Sequence, residues 1–348
     1  MSGGAPLRMK RPSTPPPTPD APPAFDLAAE FPGILRLLAR TGCEPAAAER
    51  LPGDVGRRCY IRIVLPDGAS LLGVAYPPEE ADSRRRWVAA RAALEGRVRV
   101  PRILADDGEG HQLVEDLGTS DLASRLAARP ETRAAGLAGA VRAAAAIAAL
   151  PDPGINPPFD FALFRRELEL AREAVFDLLL RSPLSEGERA VHDRWADALC
   201  REILAHPQAL AHRDFHGNNL FPFDGEVAAI DFQDMRFGPD TYDVASLLWE
   251  RTTLDWMTPE LARGAVVEFA AWRRLEAGDL SRRLDRVLLQ RAWKVCGTFA
   301  RAIAQGRGPV YRQYLPGELA LVRRLLSDAP EDAAFGGLFE ARLRPLLS

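Results

Sequence analysis

Apolar positions change their spacing along the chain, and the changes mark out an architecture. Between residues 25 and 40 they recur every three or four positions, the period of an amphipathic helix. Residues 57–65 (RRCYIRIVL) and 70–76 (SLLGVAY) are short, apolar and rich in β-branched side chains, which predicts two strands. Pro66-Asp67-Gly68 between them is turn chemistry and predicts a hairpin. A charged helical stretch follows at 79–95, then an extended piece at 100–105 and a further strand at 111–115. Beyond residue 120 the period is helical almost throughout. Helices are predicted over 121–128, 131–150, 161–180 and 185–205, the last opening with Ser185 and Glu188 at capping-box spacing. More follow at 242–252, 259–277, 280–304 and 316–326, and no internal repeat is evident. The pattern implies an α+β protein of two lobes. A small sheet-containing N-lobe would span residues 25–118 and a large, mostly helical C-lobe residues 119–348, with a linker near 116–119. Residues 1–24 are rich in proline and small polar side chains, cannot bury a core, and read as a disordered tail.

Composition narrows the classes of function. A chain of 348 residues, 47% hydrophobic and 27% charged, has room for two ordinary cores. A net charge of −3 leaves no basic footprint for nucleic acid or an acidic membrane surface. No apolar run reaches membrane-span length and the first residues lack a signal-peptide core, so the cytoplasm is the expected compartment. Cys43, Cys59, Cys200 and Cys296 are scattered with no CxxC pair, which suggests neither a zinc site nor a disulfide framework. The lysines are Lys10 and Lys294 alone, a scarcity that later constrains the chemistry.

The chemistry concentrates in residues 212–231, HRDFHGNNLFPFDGEVAAID. Asp224-Gly225 sits between two largely apolar runs and is a strong two-residue hairpin signal. If those residues turn, Phe223 faces Glu226, and counting outward sets Asn219 opposite Ile230. Asn219 and Asp231 then converge at the open end of the hairpin. An amide oxygen and a carboxylate are hard ligands suited to Mg2+. Asp214, on the loop entering the hairpin, stands where a base for an acceptor hydroxyl belongs. The spacing His212-x-Asp214-x-x-x-x-Asn219, followed by Asp231, reproduces a kinase catalytic loop and its metal aspartate. Taken singly, Asp214, Asn218 and Asn219 are also ordinary turn formers; the joint spacing favours a site. His212 is read as loop support by hydrogen bonding, and Asp243 as a helix cap that also reaches back to the loop.

Three segments, His212 to Asn219, Ile230-Asp231-Phe232-Gln233-Asp234 and Gly238-Pro239-Asp240-Thr241-Tyr242-Asp243, resemble the aminoglycoside phosphotransferase and choline kinase superfamily. The resemblance runs over about residues 30–325. Within it, the HRDFH and IDFQD forms and residues 290–295 (QRAWKV) are most similar to cell-wall-recycling sugar kinases, which phosphorylate the anomeric hydroxyl of N-acetylmuramate or N-acetylglucosamine. So are residues 77–80 and 100–105. The resemblance implies a protein-kinase-like fold, ATP and Mg2+ as cofactors, Asp214 as base, and Asn219 and Asp231 as metal ligands. It also implies adenine bound through backbone groups of an interlobe hinge at 115–118, with Glu115 and Leu117 as contacts. The expected partners are a small sugar and ATP, with no nucleic acid, no membrane and no obligate protein partner.

One departure is plain. Kinases place a lysine on the third strand to hold the nucleotide phosphates, and the strand at 70–76 has none. Arg58 or Arg62, after the turn Gly53-Asp54-Val55-Gly56, is the expected substitute, since a guanidinium clamps phosphate bidentately; both can equally be solvated strand residues. Arg291 and Lys294, three apart on a helix, share a face. They are expected either to hold a substrate carboxylate or phosphate oxygen, or to be a solvated helix face. Two other functions fit parts of the pattern. A kinase of choline, an aminoglycoside or another small alcohol keeps the chemistry and changes the acceptor. A nucleotide-binding pseudokinase acting as a partner-binding module would explain the missing lysine, against the intact set of Asp214, Asn219 and Asp231.

Overall fold

In the computed structural model, residues 25–52, 58–223, 226–250, 252–253, 256–307 and 311–347 are described. They fall into two compact units, one of residues 25–77 with Ile103–Glu115, the other of Pro78–Arg102 and everything from Asp116 on.

The first unit is an antiparallel five-stranded sheet with two helices on one face. Helix α1 (Leu27–Glu30) starts where Asp26 accepts the Ala28 and Ala29 N–H groups, and α2 (Pro32–Thr41) follows with proline at its first position. The strands are β1 (Ala47–Arg50), β2 (Cys59–Val64), β3 (Ser70–Ala75), β4 (Ile103–Asp106) and β5 (His111–Glu115), in the order β1-β2-β3-β5-β4. Ile61, Ile63, Leu71 and Leu113 of the sheet meet Ile34, Leu37 and Leu38 of α2 in one buried cluster. Because the side-chain period of a strand is two, Tyr60 and Arg62 stand on the face opposite Ile61 and Ile63. The β2–β3 hairpin closes through Asp67, whose Oδ1 accepts the Ala69 N–H at 2.9 Å. β1 escaped the sequence pattern because AAER favours a helix; pairing of Ala47 with Val64 and of Arg50 with Ile61 overrides that preference.

The second unit begins with α3 (Ala81–Leu94). The expected N-lobe counted this helix within residues 25–118. By packing it groups with the helical unit, where Trp87 stacks on Phe232 at 5.4 Å and the Ala229 N–H donates to the Arg99 carbonyl at 2.8 Å. The helices α4 (Leu122–Ala128), α5 (Arg133–Ala148), α6 (Phe161–Arg172) and α7 (Glu186–Leu204) follow. Each of α4 and α6 starts at an aspartate cap, Asp121 or Asp160, and α7 carries the full Ser185/Glu188 capping box. The helix expected over 161–180 widens to π-type turns at Glu173–Leu179. Strand β6 (Gln208–Ala211), hairpin strands β7 (Leu220–Phe223) and β8 (Glu226–Ala229), and β9 (Arg236–Pro239) carry the chain through the motif segment, β6 pairing with β9. Then come α8 (Tyr242–Leu248), α9 (Pro259–Arg273), α10 (Ala277–Ala304), α11 (Leu315–Ser327) and α12 (Ala333–Leu343).

α10, at 28 residues, is the spine of this unit. At ~1.5 Å per residue it is roughly 40 Å long, and Leu284, Val287, Leu288, Trp293 and Cys296 are all buried along it. It crosses α6 at Gly297, where a Cβ would collide with the backbone of Ala171, so only glycine permits the approach. Trp293 is fully buried among Phe176, Phe335 and Phe339, with centroids 5.6 to 6.1 Å apart, which makes it core. An ionic cluster stitches α6 to α7. Glu169, His192 and Asp193 approach as metal ligands would, yet Arg165, Arg172 and Arg189 already hold those carboxylates.

Candidate active site

The hairpin expected at Asp224-Gly225 has its turn outside the described residues, but its strands show the register. Phe223 pairs with Glu226, Pro222 with Val227 and Leu220 with Ala229. One step further out, the Ile230 N–H donates to the Asn219 carbonyl at 2.9 Å. Asn219 and Asp231 thus leave the same end of the hairpin, as the geometry of a two-residue turn requires.

The loop before the hairpin is held from behind. Asp243, on the first turn of α8, accepts the His212 N–H on Oδ2 at 2.7 Å and the Arg213 N–H on Oδ1 at 3.0 Å. Burial pushes the Asp243 carboxyl upward, and His212 with the two N–H donors pulls part of the way back. His212, fully buried, donates from Nε2 to the Ile230 carbonyl at 2.9 Å and so joins the loop to the strand that delivers Asp231. The strain here is visible in the backbone. Arg213 has φ 82° and Asp231 φ 64°, left-handed values uncommon for residues with a side chain. Such a conformation costs of order 1–3 kcal/mol and persists only where neighbours fix it.

Asp214 points the chemistry. Burial works against its ionisation, but Arg213, Arg291 and Lys294 outweigh it and hold the carboxyl below the usual carboxylate range. The group is therefore an anion at neutral pH. Asn219 donates from Nδ2 to the Asp214 carbonyl at 2.9 Å, which commits its nitrogen to the loop and leaves the amide oxygen as its ligand atom. An amide oxygen and a carboxylate from Asp231 form a hard-oxygen set that fits Mg2+.

Arg291 and Lys294 do share a face of α10, but neither is merely solvated. Arg291, expected at the acceptor, is occupied as a brace. Its Nη2 donates to Ser246 Oγ at 2.7 Å, its Nη1 reaches the Arg213 carbonyl at 3.5 Å, and its guanidinium lies 4.5 Å from the Tyr242 ring centroid. Lys294 Nζ pairs with Glu167 Oε1 at 2.9 Å while Gln290 holds the other oxygen of that carboxylate at 2.9 Å. The nucleotide candidates lie elsewhere. Arg62 is on β2 opposite Leu72 and Glu49, Arg58 immediately precedes β2, and the turn at 53–56 is outside the described residues. Glu115 ends β5 in the first unit; Leu117, half-buried, belongs to the second. The structure thus brings His212, Asp214, Asn219, Asp231, Asp243, Arg291 and Lys294 into one unit and puts Arg58, Arg62 and Glu115 in the other.

Sequence reasoning missed several supports. Asp121 caps α4 and also accepts from Asn218 Nδ2 at 3.0 Å. Gly217 lets the loop close on that helix, since a Cβ there would sit 2.8 Å from that of Ala123. The residue type at 121, an Asp before an apolar run, signalled the cap but not the second bond. Asn156 and Gln233 brace the turn that carries Asp231.

Residues 47–282 match the model of a phosphotransferase enzyme family. The chain belongs to this family. Two relatives fit the same placement. An N-acetylmuramate/N-acetylglucosamine kinase of Pseudomonas aeruginosa is 31% identical over 305 residues, covering 85% of this chain and 89% of the relative. One of the same name from Pseudomonas putida is 32% identical over 301 residues, covering 82% and 85%. Among solved structures, a choline/ethanolamine kinase family protein from Mesorhizobium loti aligns with TM-score 0.57 at 17% identity over 89% of this chain and 98% of its own. An ADP-bound aminoglycoside phosphotransferase aligns with TM-score 0.55 at 13% identity over 87% and 99%. At such identities the structures speak for the fold, and the fold is the two-lobed kinase-like one. This phosphotransferase is an enzyme of the small-molecule kinase type.

Proposed function

We propose that this phosphotransferase moves the γ-phosphoryl group of ATP to the anomeric hydroxyl of an amino sugar, N-acetylmuramate or N-acetylglucosamine. Asp214 accepts the hydroxyl proton and orients the oxygen. Asn219 and Asp231 are the residues that would hold Mg2+, which, when bound, neutralises phosphate charge. The observation that carries the reading is the ionised Asp214 tied to Asn219 within a loop locked by Asp243. Base and ligand are positioned by one set of hydrogen bonds, and catalysis of this kind is mostly positioning and charge neutralisation.

The choice of acceptor rests on the names of the two Pseudomonas relatives, which the chain matches over most of its length. Charge supports it. The groups that set the Asp214 carboxyl are cations, Arg213, Arg291 and Lys294, an environment suited to a neutral or anionic acceptor and poor for choline or an aminoglycoside. Lys294 gives one of its three N–H bonds to Glu167 and keeps donors for a substrate carboxylate such as the lactyl group of N-acetylmuramate. Arg58 and Arg62 are proposed for the nucleotide phosphates, and backbone groups of Glu115 and Leu117 for the adenine.

Release of ADP from ATP and Mg2+, measured across amino sugars, choline and aminoglycosides, tests the reading. Release that requires N-acetylmuramate or N-acetylglucosamine is the expected outcome. Release only with an amine or another alcohol transfers the chemistry to a different acceptor, and no release with any of them points to a nucleotide-binding module without turnover.

A further inference from the structure

The turn at residues 231–235 carries one of the two proposed metal ligands, and its conformation is costly by itself. Asp231 sits at φ 64°, where a residue with a Cβ is unstable unless its surroundings fix it. Two side chains do so. Asn156, in the loop between α5 and α6, donates both N–H bonds of its amide into the turn, to the Gln233 carbonyl at 2.9 Å and the Met235 carbonyl at 2.8 Å. It reaches there from 77 and 79 positions away in the sequence. Gln233, only 5% exposed, then turns back and donates from Nε2 to Asp231 Oδ1 at 2.8 Å. Between them Phe232 is fully buried against Trp87. Asn156 therefore fixes the backbone of the turn, and Gln233 fixes the plane of the carboxylate.

We infer that Asn156 and Gln233 are positioning residues that set the Asp231 carboxylate for divalent-cation binding in this enzyme. The inference rests on the reading of Asp231 as a metal ligand. The side-chain type at 233 is informative. A neutral amide donor orients the carboxylate without neutralising it, whereas arginine or lysine there would compete with the cation for its charge. A glutamate would repel it. An aliphatic residue of the same length would take this hydrogen bond away from the carboxylate. Groups that orient a metal ligand in this way typically change metal affinity by about 10–100-fold when removed.

The test is nucleotide binding by titration calorimetry on the full chain, with Mg2+ and with a chelator, for Gln233→Met, Asn156→Ala and Asp231→Asn. Gln233→Met keeps the length and most of the volume and removes the amide, whose Nε2 donates to Asp231 and whose Oε1 has no hydrogen-bond partner among the described residues. The expected result is that Gln233→Met and Asn156→Ala each reduce the Mg2+-dependent gain in ATP affinity by about 10–100-fold and leave affinity in the chelator unchanged. Asp231→Asn should remove the gain. If Asp231→Asn removes it and the other two variants keep it, the inference is overturned and the metal reading stands. If both lower affinity equally with and without Mg2+, their role is general structure and the inference again fails. If Asp231→Asn itself leaves the gain intact, the metal reading is what has failed.

Discussion

Asp214 is one carboxylate among many, distinguished by its setting rather than its chemistry. Burial alone would favour its neutral form, and an acid that stays protonated takes no proton from a hydroxyl. Arg213, Arg291 and Lys294 reverse that outcome, and Asp243 keeps the backbone at 212 and 213 where those cations face it. Arg291 matters twice, since it also bonds Ser246 and reaches the loop carbonyl of Arg213. Replacing Asp214 by Asn keeps the shape and removes the base. Turnover is expected to fall by about 10²–10⁴-fold, the usual contribution of a general base, while ATP affinity measured by calorimetry stays close to that of the parent. Unchanged turnover would take Asp214 out of its proposed role.

At the scale of elements, the sequence was most readable where a local pattern and its tertiary use agreed. The hairpin register followed from Asp224-Gly225 although those residues lie outside the described ones, because a two-residue turn leaves one choice of partners and Phe223 does face Glu226. The capping box at Ser185 and the turn at Asp67 were equally local. What was not legible depended on partners far along the chain. Asn156 lies in a proline- and glycine-rich loop and shows its use only once residues 233 and 235 are beside it. Arg291 read either as an acceptor contact or as part of a solvated helix face, because nothing local announces Ser246, 45 positions earlier. The crossing of α10 over α6 is of the same kind, and it yields a test. Gly297→Ala gains helix propensity of about 1 kcal/mol, but its Cβ meets Ala171 backbone, which cannot move as a side-chain tip can. Overpacking of that sort costs about 1–3 kcal/mol, so a net loss of stability is expected in chemical denaturation. Gly264→Ala, on the exposed face of α9 with open space around it, should show the propensity gain alone. Two glycines in two helices should therefore respond with opposite signs; equal responses would mean that the crossing does not set the cost.

For the whole molecule, stability is bounded on both sides by carboxylates. Burial opposes ionisation of Glu169, but Arg172 and Arg165 prevail and its carboxyl lies at about 2. Glu169 thus supports the fold above its ordinary value of 4.5 and loses that contribution as pH falls toward about 2. Glu318 is the opposite case. It stands in the first turn of α11, 1% exposed, with Oε1 lacking a hydrogen-bond partner among the described residues. Burial, and then Glu250, push its carboxyl up to about 8, with Arg291 offsetting part of the rise. Unfolded, the same group titrates near 4.5. Between those two values the folded chain keeps a proton that the unfolded chain has released, so raising the pH across that window favours unfolding. Glu318→Gln is permanently neutral and nearly isosteric, and removes this one linkage while leaving the acid-side groups in place. The melting temperature of the variant minus that of the parent should therefore rise steadily from about pH 4.5 to about pH 8 and level off beyond. A difference that stays flat across the window would mean that Glu318 ionises in the folded protein as readily as in the unfolded one, and that the alkaline limit of stability is set elsewhere.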